Sequence, residues 1–140
     1  MVNEVIKGMA EAIDGAFGDT TEIFCEPVLQ DLQPRSFTVR ALDSHIDRFF
    51  GERFKRTCLM EVNYFPESEL EPRTEIQSVI DPLFDALEVI NVAEGKVRGV
   101  QANAKIVDNV LVYIVKYVFY VIKIGDKEYM ETLTQNINAE

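Results

Sequence analysis

The run Val110–Ile124, VLVYIVKYVFYVIKI, limits what this chain can fold into more than any other stretch. It is almost unbroken β-branched and aromatic character, so it reads as a strand. At roughly 3.3 Å per residue such a strand is about 50 Å long. A compact domain of 140 residues has a radius of gyration of about 14 Å, hence a diameter of roughly 37 Å. The strand therefore bends or overhangs its own domain. Both of its alternations are apolar: Val110, Val112, Ile114, Val118, Tyr120 and Ile122 on one, Leu111, Tyr113, Val115, Phe119 and Val121 on the other. A strand covered on both faces, with length to spare, suits a subunit that completes itself against neighbours.

Around this strand the pattern is α+β. Residues 2–17 set Val5, Ile6, Met9, Ile13 and Phe17 at helical spacing, and Gly18-Asp19 stops the helix. Thr21–Cys25 is a short strand, and Val28–Pro34 a turn or linker. Ser36–Leu42 alternates as a strand; Ser44–Arg53, polar and basic around Phe49-Phe50, reads as a loop or mobile hairpin tip. Phe54–Phe65 resumes the alternation, with Cys58, Met60, Val62 and Tyr64 sharing a face up to Pro66. Thr74 is the expected N-cap of a second helix, Glu75–Val89, in which Pro82 predicts a kink or a restart. Ile90–Val92 and Lys96–Val100 form a short hairpin, Gln101–Val107 a further strand, and Asp108-Asn109 a tight turn into the long run. The tail, residues 125–140, spaces Tyr129, Met130, Leu133 and Ile137 for a short helix. The expected architecture is one domain over residues 1–140. It has a largely antiparallel or mixed sheet, two main helices packed on it, the long C-terminal strand and a short C-terminal helix.

Charge bears on partners. The formal net charge is −10, which argues against nucleic acid or an anionic membrane as the primary target. The acid is segregated: net −5 over residues 1–35 and −7 over 67–95, against +1 over 36–66 and +4 over 96–124. The positive blocks are the expected sheet and the negative ones the expected helices. Copies that present both signs on different faces can stack head-to-tail; a solvated acidic surface is the plainer alternative. MVNEVIKGMAEAIDGAF has no apolar core of a signal peptide, and no stretch has the composition of a membrane span. Cys25 and Cys58 have no partner motif and read as reduced core residues of a cytoplasmic chain.

The usual catalytic signatures are missing. The seven glycines are scattered, with no phosphate loop opening a helix. His45 sits among Asp43, Ser44 and Asp47, but sequence neighbours cannot converge as a triad, so it reads as an exposed loop histidine. Glu67, Glu69 and Glu71 lack the spacing of a calcium loop and read as a solvated connector. No catalytic residue, cofactor or metal is expected. What remains is the basic and aromatic cluster Arg48, Phe49, Phe50, Arg53, Lys55 and Arg56. Arginine with aromatics anchors protein interfaces, grips phosphate or stacks on bases, or simply lines a solvated strand edge.

The order of motifs carries a family resemblance. Gly51-Glu52-Arg53-Phe54-Lys55-Arg56, followed by Met60-Glu61-Val62-Asn63-Tyr64-Phe65-Pro66, resembles the G-x-R-[FY]-x-R strand and its Y-F-P ending in a family of small phage tail proteins. An amphipathic first helix and Glu26, Pro27, Gln30, Leu32 and Phe37 come before this stretch, and Ala86-Leu87-Glu88, Arg98-Gly99 and Ile106–Leu111 after it, in the same order as in that family, over residues ~1–125. These are tail terminators of phages and prophages of Gram-positive bacteria, with similar caps in headless contractile bacteriocins. The resemblance implies a structural, non-enzymatic protein of the virion or tailocin particle, assembled in the bacterial cytoplasm. It implies a homo-oligomeric ring, a hexamer, that caps the tail tube and stops its polymerisation. The implied partners are further copies, the tube and possibly sheath proteins, and the head connector or cap, with nucleic acid only incidental in the lumen. The Arg48–Arg56 segment is then expected to meet the tube or the next subunit, and the edge Lys96–Val107 an acidic helix of the next copy. A head–tail completion or neck protein, and a small ligand-binding α+β domain, are the alternatives.

Overall fold

A computed structural model describes residues 2–18, 22–24, 35–93, 95–124 and 127–130. Helix α1 runs Val2–Phe17 and turns Val5, Gly8, Met9 and Ile13 inward. It ends where the Gly18 amide bonds the Asp14 carbonyl at 2.8 Å. Strand β1 is Glu22–Phe24, within the expected Thr21–Cys25; Cys25 and the expected linker Val28–Pro34 lie outside the described residues.

Strand β2 spans Ser36–Phe50 and β3 Arg53–Phe65. The segment read as a loop or mobile tip is thus strand up to Phe50, and only Gly51-Glu52 make the turn. Its polar character misled because this half of β2 is exposed, and because bulges between Ala41 and Asp43 and between Arg48 and Phe50 break the alternation. Gly51 takes φ +57°, which glycine adopts without strain. His45 is accordingly an exposed strand residue, not a loop one.

Helix α2 is Pro72–Leu87, not Glu75–Val89. Glu71 holds the N-cap position and Thr74 lies inside the first turn. Proline suits that first turn because its missing N–H would have no partner there. Pro82 neither interrupts nor restarts the helix; it lies on the exposed side, where one missing hydrogen bond leaves a carbonyl facing water. Strand β4 is Val89–Val92 and β5 Gly95–Val107. The two expected strands within 95–107 are one, continued through an irregularity between Val100 and Asn103 where Gln101 takes φ +54°. Asp108 and Asn109 both have positive φ, the primed hairpin turn their sequence predicts.

Strand β6 is the full Val110–Ile124 run, and β7 is Lys127–Met130. The expected C-terminal helix is therefore wrong over residues 127–130, which pair with β6; β-lattice pairing has overridden a weak helical spacing. The rest of that tail is outside the described residues.

The sheet is mixed, in the order β1-β2-β3-β6-β5-β4, with β7 also on β6. β1 and β2 are parallel and the other pairs antiparallel. The long strand resolves its excess length by serving two partners in tandem along one edge: β5 over Val110–Tyr117 and β7 over Val121–Ile124. Its other edge pairs with β3 from Leu111 to Ile122.

Both helices pack on the sheet, α1 against β2, β4 and α2, and α2 against β4 and β5. Beneath them the alternate residues Leu111, Tyr113, Val115, Tyr117, Phe119 and Val121 of β6 are buried, alongside Val39, Met60 and Val62. Phe17, Phe37 and Tyr64 stack in series at 5.0 and 4.8 Å between ring centres, within the favoured range for tilted aromatic pairs. Two glycines set how closely the layers approach. A Cβ on Gly8 would stand 2.1 Å from the Asn91 carbonyl oxygen, and one on Gly99 2.8 Å from Val115 Cγ2.

Candidate functional site

The hairpin β2–β3 carries the six residues expected to form an interface, and strand alternation divides them. Cross-strand partners share a face. Arg48 pairs with Phe54 and Ile46 with Arg56 on the helix side; Asp47 pairs with Lys55 and Phe50 with Arg53 on the other. The Arg48 guanidinium lies 5.1 Å from the Phe54 ring centre, a cation–π contact, and its Nη1 donates to the Gly51 carbonyl at 2.7 Å. Arg56 is half-buried, with Nη2 donating to Ser44 Oγ at 3.4 Å. Arg48 and Arg56 thus brace the hairpin. Phe50, at 75% exposure the barest aromatic described, projects with Arg53 and Lys55 from the open side of the tip. Phe49 is described as backbone only.

The side of the sheet away from the helices, open among the described residues, continues this surface. Its β6 residues are Val112, Ile114, Lys116, Val118, Tyr120 and Ile122, all half-buried. Leu59 on β3 joins them opposite Lys116, and Val100 and Val107 on β5 lie on the same side, opposite Lys116 and Val110. Toward β2 the face turns polar. Arg40 Nε donates to Glu61 Oε1 at 2.7 Å, and Glu61 is only 7% exposed. His45 Nδ1 stands 3.2 Å from Asp43 Oδ2, and Nε2 3.8 Å from Asp47 Oδ2.

On the helix side, the polar groups consume one another. The Glu75 carboxylate accepts from the Tyr64 hydroxyl at 2.6 Å and from the amides of Glu67 and Ser68 at 2.8 and 2.9 Å. Burial alone raises a carboxyl; these donors outweigh it and hold Glu75 below the ordinary carboxylate value. Burial first, then the Glu75 bond, pushes the Tyr64 hydroxyl up. The last carbonyls of α2 are taken by the sheet: Tyr117 Oη donates to Leu87 O and the Gly99 amide to Glu88 O, both at 2.7 Å. A cleft of about 300 Å³ beside this contact is lined by Phe84, Asp85, Glu88, Ala102 and Tyr113 among others. Among the described residues, no group of three or more His, Cys, Asp or Glu is placed to hold a metal ion. No described helix is long and apolar enough to cross a membrane.

The six expected residues lie on one hairpin, and their division between faces depends on the register and on the bulge between Arg48 and Phe50, which the sequence does not show. Nor does it show the part of Leu59 and Val100, which only strand pairing brings beside β6.

The chain is an α+β domain with helices on one face of a mixed sheet and apolar, aromatic and cationic side chains displayed on the other. The chain belongs to the phage tail terminator family: that family's model, described as phage tail terminator protein, matches residues 4–129. It is accordingly a structural protein of the phage tail, acting with other tail components. Comparison with curated proteins gave no match.

Proposed function

We propose that this chain ends tail-tube growth by closing into a ring, a hexamer, on the finished tube, and that the ring then offers a surface to the head connector or to a cap. The observation that carries the reading is the family match over residues 4–129. Two features support it. The bare aromatic Phe50, flanked by Arg53 and Lys55 at the end of a long hairpin, has the composition of an interface anchor. The sheet's two sides differ in character, as a head-to-tail contact between copies needs.

The test is tube length. Particles assembled without this chain should carry tubes of unregulated length, and the purified chain added to polymerising tube subunits should arrest them. Tubes whose length distribution ignores its presence would refute the reading. Ring stoichiometry follows from native mass spectrometry of capped tubes.

A further inference from the structure

We infer that the open face of the sheet is the seat for the helix layer of a second copy, with the outer side of α2 lying along β6. This rests on the ring reading above and names the surfaces that would make the contact.

The open face is built unlike one that meets only water. A one-sided antiparallel sheet normally alternates apolar inside with polar outside. Here β6 is apolar on both alternations, and the outward stripe Val112, Ile114, Val118, Tyr120 and Ile122 runs about 33 Å. Val100 and Val107 widen it at 40% and 45% exposure. Extended apolar surface of this kind marks an interaction site.

The charges on this face name the partner. Each cation near the stripe is paired by register with one of its apolar members: Arg53 with Ile122, Lys55 with Tyr120, Lys116 with Leu59 and Lys105 with Val112. The carboxylate nearest the stripe, Glu61, is already bound to Arg40; Asp43 and Asp47 lie out on β2. The stripe is therefore flanked by positive charge.

The outer side of α2 has the complementary layout. Asp81, Asp85 and Glu88 are exposed at helical i, i+4, i+7 spacing, spanning about 10 Å; Glu88 is already bound to Arg98 at 3.2 Å, so the ridge's charge rests chiefly on Asp81 and Asp85. Exposed Leu70 and Val89, at 95% and 39%, stand just before and just after the helix. An acidic ridge with an apolar residue at each end faces, in the next copy, an apolar stripe with cations beside it. Helix layer against helix layer brings like charges together, and so does sheet against sheet. Only the heterologous contact brings opposite charges together, and it is the kind that propagates around a ring.

Charge exchange tests this. One variant carries Lys105→Glu and Lys116→Glu, which places carboxylates on the sheet side opposite the acidic ridge of the next copy; the other carries Asp81→Lys and Asp85→Lys, which places cations on the ridge opposite those of the sheet. Sedimentation velocity is run on wild type, each variant and a 1:1 mixture over a concentration series at low salt, with circular dichroism on each. The expected result is a self-association constant weakened at least about tenfold in each variant alone and returned close to wild type in the mixture. Recovery on mixing also shows that both variants are folded. Variants that assemble alone as wild type does, or folded variants that stay apart when mixed, overturn the assignment of these faces and leave the ring reading standing. A wild type that never associates, in solution or on tubes, removes the ring reading and this inference with it.

Discussion

Tyr117 and Leu87 are joined by a buried hydrogen bond of 2.7 Å, the tyrosine hydroxyl on β6 closing the last turn of α2. A helix end leaves its final carbonyls without intrahelical donors, and α2 has no basic residue in its last turn. The sheet supplies the donors instead, Tyr117 for Leu87 and the Gly99 amide for Glu88. Tyr117→Phe keeps the ring and leaves a buried carbonyl unsatisfied. Urea unfolding should show a loss of about 1–3 kcal/mol. No change would mean that this contact does not hold the helix to the sheet.

Gly8→Ala sets two effects against each other. In a helix interior alanine gains about 1 kcal/mol over glycine. Here the added Cβ meets the Asn91 carbonyl oxygen at 2.1 Å, so α1 must lift off β4. Overpacking of that kind costs about 1–3 kcal/mol beyond any propensity gain. The variant should melt lower than wild type; a rise in melting temperature would contradict the close approach of α1 and β4.

The Glu75 carboxylate makes stability depend on acid. Its folded value is depressed by the Tyr64 hydroxyl and two amides against the opposing effect of burial. A depressed carboxyl contributes stability that is full above its unfolded value of about 4.3 and lost as pH falls through the folded one. Glu75→Gln should lower the melting temperature at neutral pH and flatten its decline below about pH 4.3. Parallel pH profiles for variant and wild type would exclude this role.

Tyrosines act at the other extreme. Burial pushes Tyr113 up to about 12, and also raises Tyr117 and Tyr64. Raised groups contribute stability that is full below the unfolded value of about 10 and lost as pH rises through the folded ones. Tyrosinate absorbance should therefore gain a portion only together with loss of the circular dichroism signal. Tyr64, Tyr113 and Tyr117 titrating near pH 10 in an intact fold would contradict their burial.

At the hairpin tip, Arg53→Glu with Lys55→Glu should leave stability within about 0.5 kcal/mol, as exposed substitutions do, while abolishing tube capping. Capping at wild-type efficiency would remove the tip from the mechanism. Arg56 makes a poorer choice, since it is half-buried beneath the hairpin.

The elements most legible in the sequence were those with one dominant period. The stripe of α1, the Cys58–Tyr64 face of β3 and all of Val110–Ile124 fall where their alternation puts them. The Ser44–Phe50 half of β2 was hidden because it is exposed on both alternations and interrupted by bulges. The start of α2 was misplaced because Thr74 has the chemistry of a cap, whereas Pro72 needs none to begin a helix. The basic cluster could be read as residues but not as surfaces. Its split into Arg48 and Arg56 beneath, and Arg53 and Lys55 above, exists only once β2 and β3 are in register. Gly8 and Gly99 carried no local signal either, because what requires them is backbone or side chain from a distant element.

The place of β6 between β3 and β5 has a consequence for synthesis. The strand that joins the two halves of the sheet follows all the other strands except β7 in chain order. Until residue 124 has emerged, β3 and β5 each present an unpaired edge and the sheet exists only as separate hairpins. Such non-local pairing makes for slow folding and exposes early intermediates to mispairing. A nascent chain therefore has no finished sheet surface to offer a neighbour before β6 has been made, and competence for assembly waits for that strand.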